Sequence, residues 1–484
     1  MEVQEVSSGQ PQAAQPPGVQ QVVADLIRKA RAAQAVLVQR GQQGMDDAVA
    51  AVAWAIMEPE RNRRLAELSV RETGLGNVAD KIIKNHRKTL GLLRDLKGVR
   101  THGAIAENAA TGITEFARPV GVVAAITPST NPGATPANNV INALKCGNAV
   151  IVAPSPKGLP VSQMLLGFIH AELSKCGLPI DLVQTLPAPI SKALTSELMQ
   201  QADLVIATGS QSNVRMAYTC GTPAFGVGAG NVASIVDSSA DVQQAASLIV
   251  ASKTFDNATS CSSENSMVLV DGAREAMLQA MRDQGALLLS AEEKAKLQAI
   301  MWPEGKLSSA VTGKSARHIA ELVGIDWQGR ISQEEPTVLM VEETGVGREY
   351  PFSGEKLSPV LTVYGAKNFE EACAQVQAIY GYMGAGHSVS LHSTDESQAL
   401  HLAQNLPVSR VIVNQAHCFA TGGNFNNGLP FSLSMGCGTW GGNNFSDNLN
   451  YRYYMNVTRV ARTIAENKPA VDDLLGEYFR RWGA

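Results

Sequence analysis

The chain has 484 residues, 45% of them apolar and 17% charged, with a formal net charge of -4. That length is enough for two or three domains with full cores, and the composition is that of an ordinary globular protein. The near-neutral balance, with no basic cluster, argues against a nucleic-acid partner, and no apolar run reaches the ~18–20 residues of a membrane span.

Met1–Gln20 is rich in Gln, Pro, Ser and Gly and lacks the basic start and apolar run of a secretory signal. It is expected to be a disordered lead-in. From Val22 to about Lys97 the periodicity is helical, with Ala, Leu, Ile and Val three and four apart and Arg, Lys and Glu between them. Gly112–Thr127 alternates and then, after Pro119, becomes solidly apolar, as a hairpin arm entering a buried strand would. The pattern then predicts strand Val120–Thr127, helix Gly133–Lys145, strand Asn148–Ala153, helix Leu159–Lys175 and strand Asp181–Leu186. Helix Ser191–Gln200, strand Asp203–Thr208 and helix Gln211–Tyr218 follow. Such βα units imply a parallel sheet with right-handed crossovers, which binds ligands at the carboxyl ends of its strands.

A second α/β series starts near Ser234. Its predicted helices are Val242–Phe255, Ala273–Gln284, Ala291–Ile300 and Phe369–Ile379. Its predicted strands are Ser266–Val270, Thr337–Val341, Val360–Tyr364, Ser388–Leu391 and Arg410–Asn414. The tail adds an extended piece, Tyr453–Ala461, and a short amphipathic helix, Ala470–Trp482. The extended piece is expected to pair with another subunit's edge, because a lone strand leaves backbone groups unpaired. The fold class is therefore α/β, with two such domains and a cleft between them.

Seven cysteines are scattered without a CxxC: Cys146, Cys176, Cys220, Cys261, Cys373, Cys418 and Cys437. They fit free thiols in a reducing compartment, the cytoplasm, better than a disulfide framework, and no His/Cys/Asp set has metal-ligand spacing. Cys261, in the polar junction Ser260–Asn265 between a helix and a strand, is placed as a nucleophile would be, although a packing cysteine fits the local sequence too. Asn131, in Thr127–Gly133, follows a buried strand and can aim its amide at a reacting oxygen; a turn Asn is the plain alternative. Thr208, Gly209 and Ser210 form a small βα turn that lets a dinucleotide approach a helix N-terminus, a weak signal without a G-x-G-x-x-G. His387 and His417, with no carboxylate or cysteine pairing pattern near them, read as hydrogen-bonded core or loop histidines.

In order along the chain, five runs resemble the aldehyde dehydrogenase superfamily, and most closely its CoA-acylating branch. They are ITPSTNPGATP (126–136), GTPAFGVGAGN (221–231), SKTFDNATSCSSEN (252–265), GEKLSPVL (354–361) and LSMGCGTWGGN (433–443). The resemblance spans about Ala30 to Ala461. It implies a Rossmann-type dinucleotide-binding domain (21–111 and 120–233), an α/β catalytic domain (234–440) and an oligomerisation arm and tail (112–119 and 441–484). It also implies a homodimer or homotetramer.

The resemblance makes Cys261 the catalytic thiol and gives Asn131, with the Cys261 backbone N–H, the oxyanion hole. Glu355 would hold the nicotinamide ribose. Thr127, Pro128, Pro154, Ser155, Lys157, Thr208, Gly209, Ser210, Gly228 and Leu357 complete the expected dinucleotide site. Relatives specific for NAD carry a Glu near Pro156; here Lys157 stands beside it, so NADP is tolerated or favoured over NAD. Hydrolytic members carry a Glu in Glu-Leu-Gly-Gly to activate water, where this chain has Gly226-Val227-Gly228-Ala229. Without that base a thioester on Cys261 would pass to the thiol of CoA rather than to water.

The expected substrate is a small aldehyde. TPSTNPGATP, NQAH and PFSLSMGCGTWGGN most resemble members acting on sulfoacetaldehyde; acetaldehyde, propanal and succinate semialdehyde remain alternatives. So do the reverse acyl-CoA reduction, a hydrolytic dehydrogenase and a catalytically inert relative. The pocket loop is expected at Gln415–Phe431, with His417, Phe419 and Phe425 lining the substrate. It contains no Lys or Arg, so a sulfonate would need the Gly422 and Gly423 amides or a cation from elsewhere in the chain.

Overall fold

The structure, a computed structural model, describes residues 18–483. Residues 1–17 of the expected lead-in lie outside the described residues, and the first helix already begins at Val19, inside the stretch expected to be irregular.

Four helices open the chain: α1 (Val19–Gln39), α2 (Gly41–Met57), α3 (Pro59–Thr73) and α4 (Val78–Leu96). Strands β1 (Gly103–Asn108) and β2 (Ile113–Pro119) form a hairpin that leads into β3 (Val122–Thr127). Next come α5 (Ala134–Lys145), β4 (Ala149–Pro154), α6 (Leu159–Lys175), β5 (Val183–Thr185) and α7 (Lys192–Gln201). They are followed by β6 (Leu204–Ala207), α8 (Gln211–Thr219) and β7 (Ala224–Gly226). The second series is β8 (Val232–Val236), α9 (Val242–Thr254), β9 (Glu264–Val270), α10 (Asp271–Asp283), β10 (Ala286–Leu288), α11 (Ala291–Met301) and α12 (Ala316–Val323). It continues with β11 (Val338–Glu342), β12 (Val360–Ala366), α13 (Phe369–Tyr382), β13 (Val389–His392), α14 (Glu396–Asn405) and β14 (Val411–Val413). The one-turn α15 (His417–Ala420), β15 (Met455–Ala461) and α16 (Val471–Trp482) close it.

These strands make a parallel sheet in the order β5-β4-β3-β6-β7, a second parallel sheet β10-β11-β12-β9-β8-β13-β14, and an antiparallel sheet β1-β2-β15. Every residue of β3 and β4 is buried, because helices cover both faces of a parallel sheet. The solid apolar runs of the sequence are the consequence.

The predicted helices and strands fall within a few residues of those observed, and Leu159–Lys175 matches end to end. Three-residue strands such as β7 and β10 carry no readable period, and β1, Gly-Ala-Ile-Ala-Glu-Asn, does not alternate and is half exposed. The premise of one expectation, that the tail strand is unpaired within its own chain, is overturned. Strand β15 pairs with β2 of its own chain, from Met455 opposite Pro119 to Ala461 opposite Ile113, so one of its edges is satisfied internally. Three of the charged residues of α4, Lys81, Lys84 and Lys88, are buried.

One side chain ties the arm to the first sheet. The fully buried Asn148 accepts from the Val120 and Gly121 N–H groups (2.8 and 3.1 Å) and donates to the Ala143 and Tyr454 carbonyls (3.1 and 2.7 Å). Asn148→Ala would remove this partner from the Val120 and Gly121 N–H groups and the Tyr454 carbonyl, whereas the Ala143 carbonyl keeps the Cys146 and residue-148 N–H groups. The substitution is expected to destabilise the protein by about 3 kcal/mol or more, read as a lower unfolding midpoint against the wild type.

Candidate active site

Between α9 and β9 the chain passes through three consecutive residues in the left-handed region, Asp256 (φ 51°), Asn257 (φ 53°) and Ala258 (φ 57°). Side-chain-bearing residues persist there only when their surroundings hold them. The Asp256 carboxylate does this. It is fully buried and accepts from Lys81 Nζ (3.0 Å), Lys84 Nζ (2.5 Å), Thr259 Oγ1 (2.7 Å) and the Asn77 N–H (3.0 Å). The two ammonium groups hold its pKa below the usual carboxylate range against the opposing effect of burial.

Cys261 follows this turn, half-buried. Its Sγ lies 3.6 Å from His387 Nε2. His387 Nδ1 is 2.7 Å from Ser388 Oγ, so if Nδ1 carries the proton, Nε2 is free to accept one from the thiol. Burial, and then the nearby charge of Glu355, pushes the Cys261 thiol up to about 12. Burial and the charge of Arg410 hold His387 well below its ordinary value, as a neutral imidazole. Arg410 braces this corner through the His387 carbonyl (3.2 Å), the Gly436 carbonyl (3.0 Å) and Asn448 Oδ1 (2.7 Å).

Asn131 stands at the end of the loop after β3. Its Oδ1 accepts from Lys84 Nζ at 2.8 Å. An ammonium only donates, so the contact turns the amide's NH2 end away from Lys84. Asn131 and Ser260, the neighbour of Cys261, line one small cavity together with Lys84, Arg87, Lys88 and Phe419.

The segment that lacks the hydrolytic Glu has no room for one. A Cβ at Gly226 would stand 2.6 Å from Val214 Cγ1 and 2.9 Å from Tyr218 Cε2, and the Tyr218 hydroxyl is 2.9 Å from the Gly226 N–H. A Cβ at Gly230 would fall 2.1 Å from the Cys261 carbonyl oxygen. Gly228 donates its N–H to Asn443 Oδ1 at 3.0 Å.

Of the expected dinucleotide residues, Thr127 is buried at the end of β3 and its Oγ1 has no hydrogen-bond partner. Gly209, at φ 149°, faces Pro128, and Ser210 caps α8 through the Asn213 N–H. Thr208 Oγ1 meets Ser434 Oγ at 2.6 Å. Pro154 ends β4, Ser155 caps the turn that follows, and Lys157 is exposed. Glu355 lines a larger cavity of about 740 Å³ with Gln298, Trp302, Arg348 and Tyr382. Burial raises its carboxyl to about 8, against the lowering effect of Lys253 and Lys356. Leu357, beside it, has φ 43°.

The expected substrate residues do not all meet. Phe419 lines the small cavity and packs on Phe255, ring centroids 4.6 Å apart. His417 is fully buried behind the nucleophile loop, with Nδ1 2.8 Å from the Ser262 carbonyl oxygen. Phe425 is half exposed against Phe431. Sequence reasoning missed His387, which is 126 residues from Cys261 in the chain, and the cations of α4. A signal for the latter existed: Lys81, Lys84 and Lys88 recur at helical spacing on one face. Among the described residues no cluster of three metal-ligating side chains occurs.

The fold and this nucleophile loop define an aldehyde dehydrogenase. The model of the aldehyde dehydrogenase family matches residues 1–431, and the chain belongs to that family. It is 66% identical, over 96% of its length and 93% of the relative's, to the sulfoacetaldehyde dehydrogenase (acylating) of Cupriavidus necator. It is 40% identical, over 95% of its length and 99% of the relative's, to the enzyme of the same name from Bilophila wadsworthia. The crystal structure of an acetylating aldehyde dehydrogenase from Geobacillus thermoglucosidasius superposes with a TM-score of 0.88 at 36% identity, covering 93% of this chain and 98% of that one.

A thiol raised to about 12 is protonated throughout the neutral range. Alkylation of Cys261 by iodoacetamide in the ligand-free protein is therefore expected to quicken about tenfold per pH unit from pH 7 to 10 without a plateau. A plateau below pH 9 would show a thiolate already formed.

Proposed function

We propose that the chain is a CoA-acylating aldehyde dehydrogenase that oxidises a short aldehyde, sulfoacetaldehyde in preference, through a thioester on Cys261. The observation that carries the acylating half is the packing of Val214 and Tyr218 against Gly226, which leaves no place for a water-activating carboxylate. The 66% identity to an acylating sulfoacetaldehyde dehydrogenase supports the substrate.

The Cys261 thiol gives its proton to His387 Nε2 as the sulfur attacks the carbonyl carbon. The oxyanion receives N–H groups from Asn131 and from the Cys261 backbone; one such donor is typically worth ~2.7–4 kcal/mol. The carbon then loses hydride and becomes a thioester. A bound nicotinamide dinucleotide supplies the acceptor for that hydride. The orphaned Thr127 hydroxyl, the side-chain-free approach at Gly209 and the carboxyl of Glu355 fit such a group at the ends of β3 and β6. The exposed Lys157 suits a 2′-phosphate, hence NADP over NAD. Once His387 has released that first proton to solvent, it takes the proton of the incoming CoA thiol, whose sulfur attacks the thioester, and returns it to the Cys261 sulfur as the thioester bond breaks.

The unit built on the β5-to-β7 sheet takes the dinucleotide role and the seven-stranded unit carries the nucleophile. The outer edge of β15 and the apolar face of α16, where Leu474, Tyr478 and Trp482 are exposed, suit contact with further copies in a homodimer or homotetramer. Seven free thiols suit the reducing cytoplasm, and no helix among the described residues is long and apolar enough to cross a membrane.

A panel of aldehydes assayed with and without CoA, with each dinucleotide, tests the reading. Acyl-CoA formation with ping-pong kinetics is expected; sustained reduction of the dinucleotide without CoA, beyond one equivalent per subunit, would replace it with a hydrolytic enzyme. Cys261→Ala should fold and lose turnover and the acyl adduct visible by mass spectrometry, and His387→Gln should lower kcat by ~10²–10⁴. Lys157→Ala should raise KM for NADP but not for NAD.

A further inference from the structure

We infer that the anionic end of the aldehyde is bound by Arg87 and Lys88, two cations that α4 carries into the small cavity beside Asn131 and Ser260. The inference rests on the dehydrogenase reading and names the group that selects its substrate.

Helix α4 is turned against its own hydrophobicity. Lys81, Lys84 and Lys88 are 4%, 6% and 7% exposed, whereas Ile83 and Leu90 on the other side are 50% and 42% exposed. Burying ammonium groups while leaving Ile and Leu in water is unfavourable unless something meets the charge. For Lys81 and Lys84 that is Asp256. Arg87 and Lys88 have no acidic partner within 4.0 Å among the described residues. Lys88 Nζ donates to the Gly422 carbonyl (2.7 Å), and Arg87 Nη2 to Asn424 Oδ1 (2.5 Å) and the Phe419 carbonyl (3.4 Å). These neutral acceptors leave donors on both side chains unused.

Their surroundings suit a ligand rather than a structural ion pair. Arg87 lies over the rings of Phe419 (5.1 Å), Phe431 (5.6 Å) and Phe425 (5.9 Å), which hold its guanidinium plane. Gly91, on the same face, leaves space for the Phe431 ring, which a Cβ there would meet at 2.2 Å. Burial, then the charges of Arg87 and Lys84, draws Lys88 down to about 7, so an anion arriving beside it is favoured both by attraction and by proton uptake. Asn131 and Ser260 share the cavity, so an aldehyde whose carbonyl reaches Cys261 points its far end at this pair. The cavity holds only about 30 Å³, so even a two-carbon chain ending in a sulfonate enters only as its lining gives way; the sulfonate's three oxygens match a guanidinium fork and an ammonium together. The missing cation of the 415–431 loop is thus supplied from more than 300 residues away in the chain.

Arg87→Gln, Lys88→Met and Arg87→Lys test this. For each, kcat and KM are measured with CoA on sulfoacetaldehyde, succinate semialdehyde and propanal. In Arg87→Gln the ratio of kcat/KM for sulfoacetaldehyde to that for propanal is expected to fall about 100-fold, mainly through KM. Lys88→Met should shift it the same way, and Arg87→Lys should recover part of it. An unchanged ratio, or an equal loss on propanal, overturns the inference; a wild-type preference for succinate semialdehyde overturns the sulfonate assignment. A second measurement needs no turnover: ethanesulfonate should slow alkylation of Cys261 by iodoacetamide in the wild type and not in Arg87→Gln. If that protection holds while no aldehyde yields acyl-CoA, the acylating reading falls and the anion site stands. If acyl-CoA forms but protection ignores Arg87, only the anion site falls.

Discussion

The carboxylate of Asp256, buried between Lys81 and Lys84, is the contact on which the site's geometry depends. It meets three demands at once. It holds a left-handed turn that positions Cys261, it neutralises part of the charge that α4 carries inward, and through Lys84 it sets which end of the Asn131 amide faces the cavity. Removing one partner of such a buried pair typically costs ~3–5 kcal/mol, because the other charge is left in a medium that cannot solvate it. The strained backbone and the buried ions are therefore one device, in which the energy of the ion cluster maintains the conformation of the nucleophile loop.

Desolvation then bears on how Cys261 would act in the proposed mechanism. With desolvation raising its thiol to about 12, the half-buried Cys261 stays protonated, so in the proposed mechanism it needs a base at the moment of attack rather than a standing thiolate. His387, kept neutral by the same burial, is placed to serve, and Arg410 behind it fixes the corner through main-chain carbonyls. A neutral acceptor costs little to bury, and it becomes charged only while it holds the proton. The glycines at 226 and 230 complete the arrangement by letting Tyr218 and the Cys261 carbonyl approach where side chains would otherwise stand.

The apolar runs at 122–127 and 149–154 announced a parallel sheet because a strand covered on both faces must be apolar throughout. The five motifs marked Cys261 and Asn131 because chemistry at a loop constrains a contiguous stretch of chain. Charged residues in a helical pattern gave no such mark. Periodicity reports only spacing, and the partners of the buried Lys84 and Lys88 lie 172 residues away at Asp256 and on the loop after α15. His387 was hidden for the same reason, since nothing near it in sequence resembles a base paired with a thiol.

By itself, then, the sequence determined the α/β class, the family and the absence of a carboxylate at 226–229, and it singled out Cys261 as the proposed nucleophile, all from residue type in local order. Tertiary structure alone decided which imidazole faces the thiol, which way the amide of Asn131 turns, and that Arg87 and Lys88 lie beside it. Those are outcomes of burial and of contacts between distant segments, where the cost of removing charge from water depends on what the rest of the chain brings alongside.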